Sequence, residues 1–202
     1  MPVLAGRLVR LEQLAIEHAD GYLSAAGDGA DAEDVFRWLR TPGSISGAPR
    51  TLADARADIV AALAARVRGE RLAYAQLDAI SGEFAGTTSL YDVDPSARTL
   101  AIGGTWLGKR WWRTGHNTES KLLMLTHAFE ALGAARVVWH TDVHNVRSQE
   151  AIARLGATFE GQLRKHRIRR DGSWRTTVQF SMTDDEWPAA RHRLTESLRV
   201  HA

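Results

Sequence analysis

The stretch that decides the fold spans residues 103–121 and reads Gly103-Gly-Thr-Trp-Leu-Gly-Lys-Arg-Trp-Trp-Arg-Thr-Gly115-His-Asn-Thr-Glu-Ser-Lys121. A strand is predicted to end near Leu107, a loop with glycine and basic residues follows, and a helix begins near Thr118. Such a loop can direct backbone N–H groups and the positive end of a helix dipole at one anion. The stretch matches neither the P-loop nor the dinucleotide glycine fingerprint. Its residues alone therefore indicate a phosphate site and an ordinary strand–helix connection equally well.

Upstream of this stretch, the pattern predicts strands with short connections. The expected elements are a strand over 8–14, a short helix over 17–25, an alanine-rich helix over 51–68, and strands over 71–79, 83–91 and 99–107. Turn residues at 81–82 and 94–96 join the last three strands closely, which predicts an antiparallel meander.

Downstream, helices and strands alternate. The expected elements are a helix over 118–132, a strand over 136–141, a helix over 145–155, hairpin strands over 157–168 and 174–182, and a final helix to about 198. Because a long helix connects strands 99–107 and 136–141, these two strands are predicted to be parallel. The fold class is therefore α+β, with a mixed, mostly antiparallel sheet of six or seven strands flanked by helices.

The composition is that of an ordinary globular protein. Of 202 residues, 44% are hydrophobic and 25% charged, and a single domain over residues 1–202 is expected. No apolar run approaches the roughly 20 residues that cross a bilayer, and residues 1–10 lack a signal-peptide core. A cytoplasmic protein with no membrane partner is expected. The absence of cysteine excludes thiolate metal sites, and no metal is expected.

The net charge of +2 gives little support to nucleic-acid binding. One basic cluster stands out, formed by Arg164, Lys165, His166, Arg167, Arg169 and Arg170. A solvated strand edge, where basic side chains discourage strand pairing, is favoured over a polyanion site.

Two motifs resemble those of a known family. The first is Ile102-Gly103-x-Thr105-Trp106-Leu107 followed by Trp112-x-x-Gly115-x-Asn117-Thr118-Glu119. The second is Thr141-Asp142-x-x-Asn145-x-x-Ser148-x-x-Ala151-Ile152-x-x-Leu155-Gly156-Ala157. Their order and spacing resemble the GNAT N-acetyltransferase superfamily, and most of all its ribosomal-protein N-terminal acetyltransferase-like subgroup.

The sequence departs from the family pattern at three positions. Trp112 stands where the superfamily has Gln or Arg, and Asn117 stands where it has Gly or Ala. Ala101 stands where the subgroup often has a glutamate, so a ready-made general base is absent there.

The resemblance implies an acyl-CoA-dependent N-acyltransferase whose two parallel strands splay apart to admit the pantetheine arm. It implies that acyl-CoA contacts Trp106, Leu107, Arg113, Thr114, Gly115, His116, Asn117, Thr118, Asn145 and Ser148. Acetyl-CoA is the expected donor, with succinyl-CoA or another acyl-CoA as an alternative. The expected acceptor is a primary amine of a protein N-terminus or a small molecule. A non-catalytic CoA-binding module remains an alternative, and a homodimer is possible.

Asn145 and Ser148 are the predicted catalytic residues. They lie at i and i+3 and so share a helix face, which the resemblance turns toward the cofactor. Asn145 would bind pantetheine or order a water, and Ser148 would donate a hydrogen bond to the departing thiolate. The alternatives are a helix N-cap for Asn145 and a surface serine for Ser148.

The general base is not apparent from the sequence. His140 has a suitable ordinary pKa and shares a strand face with Asp142. Asp92 and Asp94 follow a predicted strand and are further candidates, as is deprotonation through water. Each of these residues could instead be a solvated or capping group.

Several other residues adjoin the predicted site. His116 is expected beside phosphate rather than as a catalyst. Trp106, Trp111 and Trp112 either wall the acyl or acceptor pocket or pack in the core or at a dimer interface, and packing is favoured. In the family that the sequence resembles, the region of the glycine- and proline-rich loop 41–50 covers the acceptor site, so the composition of this loop predicts a mobile lid.

Overall fold

The computed structural model of the chain describes residues 1–39, 47–169 and 171–199. Its strands are β1 (Leu4–Ala5), β2 (Val9–Gln13), β3 (Arg71–Asp78), β4 (Phe84–Asp94), β5 (Thr99–Leu107), β6 (Arg136–Asp142), β7 (Thr158–Ile168) and β8 (Trp174–Thr183). Its α-helices are α1 (Ala19–Ala26), α2 (Gly29–Phe36), α3 (Leu52–Val67), α4 (His116–Thr126), α5 (Val146–Arg154) and α6 (Trp187–Arg199). None of the helices in these ranges is long and apolar enough to cross a membrane.

The strands form one sheet in the order β1-β2-β3-β4-β5-β6-β8-β7. All neighbours are antiparallel except β5 and β6, which are parallel. The predicted α+β class with a parallel central pair is confirmed. The sheet has eight strands because β1 adds to its edge, and a two-residue strand carries no alternation to predict it.

The parallel strands separate soon after they begin. Their ladder contains only Thr99↔Arg136, Leu100↔Val137 and Ala101↔Val138, although β5 continues to Leu107 and β6 to Asp142. A gap therefore opens between their carboxyl ends, as the predicted splay requires.

A β-bulge lies on β5 beside this gap. Trp106 pairs with Thr87 and Gly103 with Ser89, so Gly104 and its neighbour at 105 oppose a single residue of β4. Gly104 has φ 57°, which glycine adopts without strain. Because side chains alternate along a strand, the extra residue turns Trp106 to the face opposite that of Ile102.

Each face of the sheet carries its own core. On one face, α4, α5 and α6 contribute Met124, Leu125, Ile152 and Leu194 to a cluster that includes Ile102. On the other face, α1, α2 and α3 contribute Tyr22, Phe36 and Ile59 to a cluster that includes Trp106.

Some individual elements depart from the expectations. The helix predicted from 118 begins earlier, at His116, and its end over His127–Ala131 is π-helical. The short helix α2 was not predicted, because Gly29–Phe36 offers only two turns of helical periodicity. The predicted lid over 41–50 lies outside the described residues except for 47–50, as does Arg170 of the basic cluster.

Candidate active site

The loop before α4 has the backbone conformation of an anion-binding turn. Arg113 has φ 62° and Gly115 has φ 85°, so two left-handed residues flank Thr114. Turns of this kind can aim successive N–H groups at one point. His116 begins α4 directly afterwards, and positions 117 and 118 lie in the first turn, where N–H groups lack intrahelical partners. The backbone over 113–118 is therefore suited to a phosphate group.

The side chain of His116 points into the protein. It is buried, its Nδ1 lies 2.8 Å from Thr114 Oγ1, and its Nε2 lies 3.0 Å from Asp78 Oδ2. The ring packs on Trp111 with 4.6 Å between centroids. Because the His116 side chain makes these contacts inside the protein, only its backbone N–H is left for the predicted phosphate contact.

Trp112 connects the loop to β5 and α5. Its indole Nε1 donates to the Leu107 carbonyl over 2.8 Å. The Arg147 guanidinium lies 3.9 Å from the centroid of the indole ring, in a cation–π contact. The residue that departs from the family pattern therefore joins the two predicted cofactor-binding segments.

The other two tryptophans near the loop pack in the interior. Trp106 is buried, with its ring centroid 4.9 Å from those of Tyr22 and Phe36. Trp111 is buried beside Leu107. The side chain of Trp106 thus belongs to the core, and its carbonyl accepts from Gln76 Nε2 over 3.2 Å, so only the remainder of its backbone is left for a cofactor in the gap.

Asn145 caps α5. Its Oδ1 accepts a hydrogen bond of 3.1 Å from the backbone N–H of Ser148. The capping interpretation of Asn145 is confirmed, and this bond leaves its Nδ2 group for other partners. Ser148 lies half-buried in the first turn of α5. The catalytic roles of both residues stay predictions.

A chain of hydrogen bonds crosses the face of the sheet that α1–α3 leave partly open. Tyr91 Oη lies 3.1 Å from His140 Nδ1, and His140 Nε2 lies 3.1 Å from Gln179 Oε1. The Gln179 amide donates to Glu160 Oε2 over 2.9 Å, and Arg136 donates to Glu160 Oε1 over 2.6 Å. Since Gln179 Oε1 can only accept, His140 Nε2 carries a proton, and Nδ1 is free to accept the Tyr91 hydroxyl proton.

Tyr91 and His140 meet where β5 and β6 separate. Tyr91 pairs in register with Ala101, the last β5 residue of the parallel ladder. A Cβ on Gly103 would lie 2.8 Å from Tyr91 Cε1, so the tyrosine ring passes over this glycine. His140 lies on β6 beyond Val138, where that ladder ends. Tyr91, on β4, therefore reaches over β5 to His140 on β6 at the point where the gap opens.

The protonation states of the pair suit proton transfer. Burial lowers the pKa of His140, and the hydrogen bond to Gln179 opposes this only in part, so the imidazole is neutral at pH 7. Burial raises the pKa of Tyr91 to about 12, so its hydroxyl keeps its proton. A neutral base and a protonated donor are thus held together.

The aspartates that the sequence suggested as general bases do not share the environment of His140. Burial tends to raise the pKa of Asp142, but hydrogen bonds from Arg169 and the His144 N–H bring it below its usual value. The carboxylate of Asp94 accepts hydrogen bonds from Ser96 and so stabilises a turn. These hydrogen bonds lower the pKa of Asp94. Asp92 is exposed. His140 is the best placed of the candidates, and Tyr91, its partner, had no motif to indicate it.

A cavity of about 1120 Å³ lies on the same open face. Its walls include Phe36 and Trp38 on the α2 side and Asp142, Arg167 and Arg175 on the β6–β8 side. It is large enough for a small-molecule or peptide acceptor.

Comparisons with known proteins identify the family of the chain. The family model of the acetyltransferase (GNAT) domain matches residues 9–158. A GCN5-related N-acetyltransferase from Brucella melitensis is 32% identical, with 96% of this chain and 84% of that chain covered and a TM-score of 0.87. A protein from T. thermophilus, assigned as an acetyltransferase, is 37% identical, with 98% of both chains covered and a TM-score of 0.84.

A more distant structure shares the fold. Mycobacterium smegmatis RimJ, in complex with CoA-disulfide, is 23% identical, with 96% of this chain and 91% of that chain covered and a TM-score of 0.77. Members of the family bind acyl-CoA and an amine acceptor. The chain belongs to the GNAT family and is an N-acetyltransferase.

Proposed function

We propose that this enzyme transfers an acetyl group from acetyl-CoA to a primary amine of a protein N-terminus or a small molecule by direct attack. The observation that carries the proposal is the Tyr91–His140 pair across the gap between β5 and β6. The pair does not line the cavity, but His140 lies on β6 two residues before Asp142, which does, so an amine held there would be close to a thioester in the gap.

The cofactor side of the proposal rests on the loop before α4. The pyrophosphate would bind the backbone N–H groups of 113–118, and the pantetheine arm would lie along the backbone of Trp106 and Leu107. RimJ, which was observed with a CoA-disulfide, has the same fold. Ser148, in the first turn of α5, would donate a hydrogen bond to the thiolate as it leaves.

The acceptor side rests on proton transfer. A primary amine is mostly protonated at neutral pH and must lose a proton before it attacks. The ammonium group would donate to Tyr91 Oη while the Tyr91 proton passes to His140 Nδ1. Gln179 and Glu160, which follow in the hydrogen-bond chain, would stabilise the resulting imidazolium. The free amine then attacks the thioester carbon, the carbon–sulfur bond breaks with CoA leaving as the thiolate, and the nitrogen loses its second proton to that thiolate or to water.

Thiol release from acetyl-CoA and from succinyl-CoA, measured with a panel of amines, tests the reaction. We expect release that depends on both amine and donor, with acetyl-CoA preferred. A preference for succinyl-CoA would contradict the donor assignment. Tight CoA binding without any amine-dependent release would favour the non-catalytic alternative.

Two glycine variants test the cofactor site by calorimetry. Gly115 and Gly133 both have positive φ, at 85° and 65°, so alanine strains each backbone similarly. Only Gly115 lies in the loop before α4. We expect Gly115→Ala to weaken CoA binding at least about tenfold, which corresponds to about 1.4 kcal/mol, and Gly133→Ala to leave it unchanged. Equal effects would contradict the assigned loop.

A further inference from the structure

Two arginines face each other on the hairpin that walls the cavity. Arg167 on β7 and Arg175 on β8 are direct register partners. Like charges at directly opposed positions of a sheet destabilise it. Arg169, two residues beyond Arg167, points to the same side of the hairpin. Three guanidinium groups therefore lie together at one wall of the cavity. The repulsion between their positive charges destabilises the fold, so their placement needs an explanation.

The carboxylate at this wall is already occupied by one of the three. Asp142 Oδ2 accepts from Arg169 Nε over 2.7 Å, and Oδ1 accepts from Arg169 Nη2 over 3.0 Å. Asp142 Oδ1 also accepts the backbone N–H of His144 over 3.0 Å. This planar, bidentate contact pairs Asp142 with Arg169. It leaves the Asp142 carboxylate with little capacity to accept hydrogen bonds from the other two guanidinium groups.

Arg175 and Arg167 remain without a full partner. Arg175 Nε is 3.8 Å from Asp142 Oδ2, beyond hydrogen-bond distance, and this buried N–H finds no acceptor among the described residues. Arg167 is exposed and forms no hydrogen bond or ion pair within the described ranges. Asp171, also on the hairpin, accepts from the Ser173 N–H. Two cationic groups thus border the cavity, Arg167 exposed and Arg175 with a buried Nε–H that has no acceptor among the described residues.

The remaining charges of the cavity lie near α2. Asp28 and Glu33 line that side together with Arg37 and Arg50, so acidic and basic residues balance there. The hairpin side carries Arg167, Arg169 and Arg175 against the two carboxylates of Asp142 and Asp171, so a net positive charge remains there. It lies near Tyr91 and His140, because Arg175 Nε is 3.8 Å from Asp142 Oδ2, two residues beyond His140 on β6, and the charges of Arg167 and Arg175 oppose the rise of the Tyr91 pKa.

We propose that Arg167 and Arg175 bind an oxyanion, a carboxylate or a phosphate, that the amine acceptor carries. The inference rests on the proposed function and specifies its substrate class. Guanidinium groups match the planar geometry of carboxylate and the oxygens of phosphate. An acceptor anchored in this way would point its amine toward Tyr91.

Matched pairs of acceptors test the proposal by calorimetry on the CoA-loaded protein. The probes are glycylglycine against glycylglycine amide, and O-phosphoethanolamine against ethanolamine. We expect the anionic member of at least one pair to bind about ten- to a hundredfold more tightly, as charge-assisted hydrogen bonds allow. The pair that discriminates identifies carboxylate or phosphate as the bound group. Equal binding within both pairs, or no measurable binding of any probe, overturns the proposal.

Single arginine substitutions show which residues cause the tighter binding of the anionic acceptor. Arg167→Gln should abolish the discrimination, and it is exposed enough to fold normally. Arg164→Gln removes the same charge from an exposed position of β7 outside the cavity, and should keep the discrimination. Arg175→Lys retains the positive charge but not the bidentate geometry of the guanidinium group, and it should reduce the discrimination between anionic and neutral acceptors. Discrimination that survives in Arg167→Gln and Arg175→Lys overturns the proposal.

Two results separate this proposal from the proposed function. If anionic amines bind selectively but no thiol is released, the transfer reaction is contradicted and the oxyanion site stands. If neutral and anionic amines bind and react equally, the oxyanion site is contradicted and the transfer reaction stands. A wild-type preference for succinyl-CoA that Arg167→Gln removes, without acceptor discrimination, assigns the arginines to the acyl group and overturns the proposal.

Discussion

The side-chain nitrogen of Lys121 lies 2.8 Å from the hydroxyl oxygen of Thr105 inside the protein. It also lies 2.8 Å from Thr88 Oγ1 on β4. Lys121 is only 4% exposed, and no carboxylate pairs with it in the described part of the chain. Burial lowers the pKa of Lys121 to about 7. A helix residue of α4 is thus joined to the β5 bulge by an amine that is close to losing its proton at neutral pH.

This lysine should make folding stability depend on pH. Its pKa is about 7 when folded against 10.5 ordinarily, so between these values the unfolded chain binds more protons. Stability from this group therefore rises from pH 7 toward pH 10, by up to about 1.4 kcal/mol per pH unit, and is lost again as pH falls. Urea unfolding at pH 7 and pH 9 measures the difference.

The variant Lys121→Met isolates that contribution. Methionine fills a similar volume without a charge, and Thr88 and Thr105 can still bond each other over their present 2.8 Å. We expect the variant to lose most of the pH dependence, whereas Lys109→Met, at an exposed lysine, keeps it. An unchanged slope in Lys121→Met would show that the amine is not the cause.

A second expected effect concerns the carboxylate of Glu119 on α4. It accepts backbone N–H groups from Arg7 over 3.0 Å, Leu8 over 2.6 Å and Val9 over 2.8 Å. Glu119→Gln replaces one acceptor oxygen by a donor that opposes an N–H group. We expect a loss of about 2–4 kcal/mol in the free energy of unfolding, measured with urea. Glu150→Gln, at an exposed position of α5, should cost less than about 0.5 kcal/mol.

The features that could be predicted from the sequence are those with local signals. Strand alternation and the helix between β5 and β6 predicted the parallel pair, and Asn145 before a helical pattern predicted the cap. The Tyr91–His140 contact could not be predicted, since it joins residues 49 positions apart and depends on the register of three strands. The burial of Lys121 could not be predicted either, because it depends on the bulge at Gly104 that turns Thr105 toward α4.

The third prediction tests Ser148 as the donor to the leaving thiolate. Removing one hydrogen-bond donor from a developing negative charge costs a large factor in rate, so Ser148→Ala should lower kcat about 10- to 100-fold. CoA binding, measured by calorimetry, should weaken much less than kcat, because the hydrogen bond to sulfur strengthens only as the thiolate leaves. Ser197→Ala removes a hydroxyl that bonds the Leu194 carbonyl in α6 and serves as the control. Full turnover in Ser148→Ala would make it a surface serine.

The last prediction concerns the pH dependence of the reaction. His140 accepts a proton only when neutral, so kcat/KM should fall as pH drops through its pKa. Because burial lowers this pKa below the ordinary value of 6.5, the acidic limb should lie below pH 6.5. His140→Gln should reduce kcat/KM about 100-fold and remove that limb, and Tyr91→Phe should reduce kcat/KM by interrupting the relay. His192→Gln, at an exposed position of α6, should leave the profile unchanged. If the same acidic limb persists in His140→Gln, another group or water takes the proton.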